Sequence, residues 1–382
     1  MLGGGQLGRM LALDAHANGI RCVVRTDGSP GGPAAQVADA EFVGSYGDAA
    51  LNAAFAAACE SVTIEFENLP AVLLDAIAEH VPVRPSAVSV AVCQHRRREK
   101  EFLAASAIPH APFSVVRSPD QVVDALASLG GRGILKSAAF GYDGRGQERL
   151  DRSTMSNRDI TDSWARLDTD EAVLEQLVPF ACEISVVGVR GHDGSWVSYP
   201  PGENVHVAGI LDYTIAPAQI GDDVAARATS LARTISEALG HIGVIGVEFF
   251  VLADGSLLVN EMAPRPHNSG HHTIDACVVS QFGQQWRAAR GLPLADASQH
   301  TPAVMVNLLG DLWSEGEPDW PASVADPTVR LHLYGKSDPR PGRKMGHLCV
   351  LGRPDESMPA LVARALDVRR RLGSVEAVDT RA

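Results

Sequence analysis

No run of apolar residues in the chain approaches the roughly 20 needed to cross a bilayer. The opening MLGGGQLGRM has no basic segment leading into an apolar stretch, so the protein is expected in the cytoplasm, without a secretory leader. Positive charge is in short supply. Against 46 Asp and Glu stand 33 Lys and Arg, a net charge of -13, which argues against non-specific binding to nucleic acid or to anionic membranes. A local basic pocket for phosphate remains compatible with it. Cysteine is sparse as well: Cys22, Cys59, Cys93, Cys182, Cys277 and Cys349 include no C-x-x-C pair and no His partner at zinc-finger spacing. Reduced, mostly buried thiols are expected. What remains, 45% hydrophobic and 21% charged, is the balance of a globular protein, and 382 residues suffice for about two or three domains.

Residues 1–95 alternate short β-like runs with Ala/Leu-rich stretches: Ile20–Arg25, Ala49–Cys59, Ser61–Glu65 and Ala71–His80. That alternation predicts parallel βαβ units and a doubly wound sheet. From residue 96 the character changes. Arg96–Ala107 reads as a helix, and apolar strands dominate at Glu183–Arg190, Ser195–Tyr199 and Val244–Val259, before one helix near Ala276–Arg290. The expectation there is α+β construction on an antiparallel sheet. Residues 303–382 hold short strands (Ala303–Leu309, Val329–Tyr334, Gly346–Leu351) and a closing helix rich in Ala, Leu and Arg.

The most informative stretch runs from Val247 to Glu261. Asp254-Gly255 between two β-rich runs predicts a two-residue hairpin loop. With Ala253 then facing Ser256, counting back along both strands sets Glu248 directly opposite Glu261. Two like charges at such a position are destabilising by themselves. A divalent cation such as Mg²⁺, which suits hard oxygen ligands and phosphates, is the natural compensation. The alternative is that one glutamate is protonated or pairs with an arginine such as Arg265.

Upstream, Gly133-Ile-Leu-Lys136 reads as a short strand carrying a lysine near its end, followed by Gly141-Tyr142-Asp143-Gly144-Arg145-Gly146-Gln147. The glycines let the backbone approach an anion, and Arg145 adds charge. This is not a Walker A loop, and alone it would be a plain hairpin loop. With Lys136 and the paired acids it supplies what an ATP–Mg²⁺ phosphoryl-transfer site requires.

Gly3-x-Gly5-x-x-Gly8 formally fits the dinucleotide fingerprint, but only Met1 and Leu2 precede it where a strand belongs, and Arg25-Thr26-Asp27 offers the nearest acidic partner. A phosphate-sized ligand on the following helix N-terminus suits the loop better than NAD does. Pro264-Arg265-Pro266-His267-Asn268-Ser269-Gly270-His271-His272 directly follows Glu261, a proline-fixed run of Arg, His and Asn beside the proposed metal pair. Lys336, Arg340, Arg343 and Lys344 are either a solvated basic loop or a phosphate clamp.

The strings GGGQLGRM, TIEFENLP, FGYDGRGQ, ENVHVAGIL, VNEMAPRPHNSGHHTIDAC and RPGRKMGHL follow one another across nearly the whole chain. Together they resemble N5-carboxyaminoimidazole ribonucleotide synthetase, an ATP-grasp family of purine biosynthesis. The resemblance implies an α/β and α+β fold in three parts. These are a doubly wound parallel-sheet domain (1–95), an ATP-grasp domain (96–302) and a small β-rich C-terminal domain (303–382). It also implies a homodimer that carboxylates 5-aminoimidazole ribonucleotide with bicarbonate and MgATP.

By the same resemblance Arg96 and Lys136 would contact ATP phosphates, with Gly141–Gln147 closing over them. Glu175-Gln176-Leu177-Val178 would meet adenine, Glu183 would bind the ribose, and His206 and Asn260 would complete the nucleotide pocket. Glu248 and Glu261 would hold Mg²⁺. The aminoimidazole ribonucleotide would meet Glu67, Tyr142, Asp143, Arg265, His267, Lys336, Arg343 and Lys344, close to Gly5, Gln6 and Leu7. Asp143, Arg265, His267 and Lys336 would be the catalytic group, with Asp143 or His267 accepting the amine proton.

Two departures from the pattern stand out. The family's first strand is reduced here to Met1-Leu2, and Ala263 stands where many ATP-grasp enzymes carry asparagine, while Asn260 precedes the second metal glutamate. Three other readings remain open from sequence: formate-dependent glycinamide ribonucleotide transformylase, a nucleotide-binding protein without turnover, and an NAD-dependent oxidoreductase.

Overall fold

The structure, a computed structural model, describes residues 1–139 and 146–373. Its N-terminal part is the expected parallel layer. Val23–Thr26 pairs in parallel with Ala40–Val43, and Leu2 bridges in parallel to both Arg25 and Ile64, with Val62 bridging on to Val83. The central position of this layer is thus held by very few residues, through Leu2 N–H to Thr63 O (2.8 Å) and Gly3 N–H to Arg25 O (2.9 Å). The expected strand Ser61–Glu65 exists only as those bridges. Leu2, Phe55, Ile64, Leu73, Leu74 and Ile77 close the core against the helices Ala49–Ala57 and Ala71–Ala78.

A four-stranded antiparallel sheet follows, in the order Phe113–Val116, Ala172–Gln176, Arg132–Ser137, Gln147–Asp151. Helices Pro119–Ser128 and Asn157–Leu167 cover one face through Val122, Leu126, Ile160 and Leu167. Ser118 caps the first of them and Pro119 occupies its first turn, where a missing N–H costs nothing. Ser156 and Asp159 form a capping box on the second.

A nine-stranded sheet makes up most of the rest. At one edge lie Leu257–Ala263 and Gly243–Val251, then Cys182–Arg190, Gly202–Val207 and Ile210–Ala216. The C-terminal strands Ala303–Leu309, Lys344–Leu351 and Val329–Leu333 continue this sheet through the Tyr213–Val306 pairing. They have their own core with helix Met358–Leu372, built on Val306, Leu348, Leu361 and Ala365. The long helix expected over Ala276–Arg290 is two, Thr273–Ala276 and Gln281–Arg290. Cys277 is extended, and Ser280 restarts the helix by accepting from Gly283 N–H.

The hairpin reaches the expected pairing by a different path. Val251 pairs with Leu257, so the loop is one residue longer than a two-residue turn. Gly255 takes φ +79°, and Asp254 Oδ1 accepts from Ser256 N–H at 2.9 Å. Phe249 pairs with Val259, yet Glu248 pairs with Glu261. Asn260 is therefore the extra residue of a β-bulge, and the bulge offsets the longer loop. The glutamates do stand opposite one another.

Candidate active site

The two sheets and the N-terminal layer enclose a cavity of about 1210 Å³. Most residues expected at the site line it. Gly5, Gln6, Leu7 and Glu67 come from the N-terminal layer, Lys136, Gly146, Gln147, Gln176, Leu177 and Val178 from the four-stranded sheet and its exit, and Arg96 from the helix Arg96–Ala105. Glu183, His206, Glu248, Asn260, Glu261, Arg265, His267 and Lys344 come from the large sheet and the loops beyond it. Gly141 to Arg145, and with them Tyr142 and Asp143, lie outside the described residues.

Behind the phosphate end sits a buried cluster of charge. Glu175, 2% exposed, receives Lys136 Nζ at 3.0 Å on Oε1 and Lys100 Nζ at 3.1 Å on Oε2, with Arg96 Nη1 at 3.8 Å. Burial alone would raise this carboxyl, but Lys100, Lys136 and Arg96 together hold it well below the usual carboxylate range. Burial pulls Lys136 below its ordinary value despite Glu175. Glu175 thus faces the cations and not the cavity. Gln176, Leu177 and Val178 carry the strand onward into the wall, where Ile134, Leu211 and Phe250 add apolar surface suited to a planar base. Phe180 stacks on Phe250 at 4.7 Å between ring centroids.

Across the cavity the bulged pair forms the acidic side. Burial, then the facing Glu261, pushes the Glu248 carboxyl up to about 7. Arg96 Nη2 reaches Glu261 Oε2 at 3.4 Å, so the arginine that offsets this pair is Arg96. Arg265 does not serve there; it pairs with Glu67 through both guanidinium edges, Nη2 to Oε1 at 3.0 Å and Nε to Oε2. That fork outweighs burial and keeps Glu67 below its ordinary value. Glu183 stands 3.2 Å from His206 Nδ1, and one donor atom each from Glu183, His206 and Glu248 fall within 4.8 Å of one another. Burial would lower His206, but Glu183 and Glu248 hold it above its usual value. Carboxylate oxygens and an imidazole nitrogen clustered in this way fit a hard divalent ion.

His267 closes the far end. Its Nε2 lies 3.4 Å from Glu248 Oε1 and its Nδ1 2.7 Å from Ser269 Oγ, and burial, followed by Arg265, lowers it to about 3. Its backbone is clamped by Gln281, whose Oε1 accepts from His267 N–H and whose Nε2 donates to His267 O, each at 2.8 Å.

The glycine loop differs from expectation. The N–H groups of Gly5 and Gly8 that open the helix Gln6–Ala17 already donate to the Glu65 carboxylate, at 2.9 Å for Gly8. A side chain from 57 residues along the chain, not a ligand, takes the helix N-terminus. Lys336 and Arg343 stand back from the cavity lining. Lys336 Nζ donates to Lys344 O at 2.6 Å, and Arg343 Nη1 donates to Asp338 O at 2.6 Å.

Lys100 and Gln281 escaped the sequence reading. Lys100 sits in the charged run Arg96-Arg97-Arg98-Glu99-Lys100, which looks like a solvated helix face. Phe250 was within reach, since it lies two residues from Glu248 and so shares its face of the strand.

Residues 101–282 match the ATP-grasp domain family, residues 1–94 the ribonucleotide synthetase preATP-grasp domain, and residues 303–360 the phosphoribosylaminoimidazole carboxylase C-terminal domain. The N5-carboxyaminoimidazole ribonucleotide synthase of Brucella melitensis is 42% identical over 348 residues, covering 91% of this chain and 94% of its own. The chain belongs to the N5-carboxyaminoimidazole ribonucleotide synthase family of ATP-grasp proteins. A solved synthetase in complex with ADP superposes with a TM-score of 0.88 at 36% identity, covering 97% of this chain and 96% of its own. The Aspergillus clavatus enzyme in complex with ADP and 5-aminoimidazole ribonucleotide gives 0.85 at 31% identity, covering 97% of each chain. The dinucleotide-binding and transformylase readings of the sequence therefore give way to the synthetase one.

Proposed function

We propose that this chain joins bicarbonate to the exocyclic amine of 5-aminoimidazole ribonucleotide at the expense of ATP. The products are N5-carboxyaminoimidazole ribonucleotide, ADP and phosphate, in the route to purine nucleotides. The observation that carries this reading is the shared cavity. It has Lys136 and Arg96 at one end, the Glu248/Glu261 pair in the middle and the Arg265–Glu67 fork with His267 at the other.

In that arrangement Ile134, Leu211 and Phe250 receive adenine, while Lys136 and Arg96 hold the phosphates. Glu248 and Glu261 supply oxygen ligands for Mg²⁺, which when bound offsets phosphate charge. Bicarbonate oxygen attacks the γ-phosphorus, expelling ADP and forming carboxyphosphate. The amine then takes the carboxyl group, loses a proton and releases phosphate. Arg265, Glu67, His267 and Lys344 orient the ribonucleotide, with Lys336, Arg343 and Tyr142 near it and Asp143 or His267 as candidate acceptor of the amine proton. Gly141–Gln147 closes over carboxyphosphate, which water would otherwise destroy.

The chain works as a cytoplasmic homodimer in this reading.

ADP release from MgATP in bicarbonate buffer, with and without 5-aminoimidazole ribonucleotide, tests the activity. Release that depends on the aminoimidazole is expected. A folded protein that binds ATP yet releases no ADP under either condition would be a nucleotide-binding protein without turnover, and the proposal would be lost.

A further inference from the structure

His267 belongs to a chain of hydrogen bonds that fixes where its proton sits. Ser185 Oγ is 2.7 Å from Ser269 Oγ, Ser269 Oγ is 2.7 Å from His267 Nδ1, and His267 Nε2 is 3.4 Å from Glu248 Oε1. Ser185 is also the cross-strand partner of Glu248, so the chain leaves the sheet at one residue of a row and returns at its neighbour. Both serines are buried, at 2% and 1% exposure.

Each hydroxyl carries one proton to donate. Among the described residues, Ser185 Oγ has Ser269 Oγ as its one hydrogen-bond partner. If His267 held its proton on Nδ1 and donated to Ser269, one of the two serine protons would be left over, that of Ser185 where Ser269 donates to it. The Ser185 proton would then be stranded without an acceptor in a buried site, which is costly. Reversed, both serine protons find an acceptor: Ser185 donates to Ser269 and Ser269 to Nδ1, which leaves the ring hydrogen on Nε2, 3.4 Å from Glu248 Oε1. Gln281, gripping the His267 backbone on both sides, and Gly246, whose missing Cβ would lie 2.7 Å from His267 Cβ, hold the ring in that orientation.

We infer that Ser185 and Ser269 are positioning residues that lock His267 as the Nε2–H tautomer, so that His267 serves the reaction as a hydrogen-bond donor and not as the base. The inference rests on the synthetase reading for its place in the reaction. Both lone-pair positions of the ring are then spoken for: Nδ1 accepts from Ser269 and Nε2 carries hydrogen. The amine proton must pass to another acceptor, while Nε2–H is free to hold an oxygen of substrate or of the Glu248 carboxylate in place.

The test begins with the resting full-length enzyme labelled with ¹⁵N-histidine, its His267 signals assigned by their loss in His267→Gln. A two-bond ¹H–¹⁵N spectrum near pH 7.5 should show a neutral ring protonated at Nε2. A proton on Nδ1 overturns the proposal outright. Ser269→Ala should blur that signature into a tautomer mixture. It should also lower kcat for aminoimidazole-dependent ADP release about tenfold, the usual lower bound for losing such a support, with KM for MgATP within about twofold. Ser269→Thr, which keeps the hydroxyl, should restore both, and Ser185→Ala should move both in the same direction. An Ala variant with unchanged spectrum and unchanged kcat overturns it. Should Ser269→Ala fail to fold, the wild-type spectrum and Ser185→Ala still decide. Absence of aminoimidazole-dependent turnover in the wild type would instead strike the synthetase reading, since the resting-state spectrum is read without substrate.

Discussion

Lys100, with no exposed side-chain surface, places its ammonium 3.1 Å from Glu175 and 2.9 Å from the carbonyl of Asn260. One buried cation thereby ties the small sheet to the bulge that aligns Glu248 with Glu261. Removing one partner of a buried pair strands the other charge, which typically costs about 3–5 kcal/mol. Lys136 still reaches Glu175, so Lys100→Met should fall at the low end, about 3 kcal/mol. The check is the midpoint of urea unfolding at unchanged slope. A midpoint equal to that of the wild type would show that Lys100 contributes nothing to this joint.

The facing glutamates predict opposite effects on stability and on turnover. Without metal, Glu248 faces Glu261 as a like group on the adjacent strand, so Glu248→Gln should raise unfolding stability in EDTA by about 0.5–1 kcal/mol, and Glu261→Gln by less because Arg96 loses its partner. The same substitutions should lower kcat at least about 100-fold, as loss of a charge-organising group does. Added Mg²⁺ should stabilise the wild type, by about 2.7 kcal/mol at 100 times its Kd, and the variants much less. Calorimetry in EDTA and in MgCl₂ reads the stabilities and ADP release reads kcat, and variants that respond to Mg²⁺ as the wild type does would remove the pair from the metal site.

How much of this site could be read from sequence depended on the distance over which each interaction acts. The Glu248/Glu261 pairing came from local rules, strand alternation and an Asp-Gly turn. It survived because two one-residue differences, a longer loop and a bulge at Asn260, offset each other. Where a side chain meets a backbone far along the chain, local rules gave no sign. Glu65 capping the glycine loop and Arg265 choosing Glu67 over the facing glutamates are both of this kind. Lys100 illustrates the third case: its neighbours in sequence are charged and its burial is set wholly by packing. The continuation of the large sheet into the C-terminal strands likewise depends on the Tyr213–Val306 pairing, which spans far more chain than any turn signal covers.

Two buried histidines away from the cavity predict acid sensitivity. His241, fully buried, has Ser89 Oγ 2.8 Å from Nδ1 and Val244 O 3.0 Å from Nε2. His272 has Nδ1 2.9 Å from Ser269 O. Burial lowers each to about 4 from an ordinary 6.5. The unfolded chain therefore binds protons that the folded chain refuses between those values, so stability falls as pH drops through that window. Between pH 7.5 and 5 the loss should be on the order of 2 kcal/mol for each histidine. His241→Gln should flatten the urea midpoint against pH over that range. An equally steep profile in the variant would rule out His241 as a source.

Gly246 offers the sharpest separation between the two ends of the cavity. It lies on the hairpin strand two residues before Glu248, and a Cβ there would come within 2.7 Å of His267 Cβ and 2.8 Å of His267 Cγ. The obstacle is the root of a clamped side chain, whose backbone Gln281 holds from both sides, so the ring cannot swing away cheaply. Gly246→Ala should cost about 1–3 kcal/mol of stability, as overpacking usually does. A displacement of His267 by a fraction of an ångström should cut kcat/KM for the aminoimidazole ribonucleotide about tenfold to 100-fold. Lys136, Glu175, Ile134 and Leu211 lie on other strands and Phe250 lies four residues further along this one, so ATP affinity measured by calorimetry should stay within about twofold of wild type. Equal losses for both substrates would mean that the strand itself had shifted, and that Gly246 supports the whole cavity instead of the seat of His267.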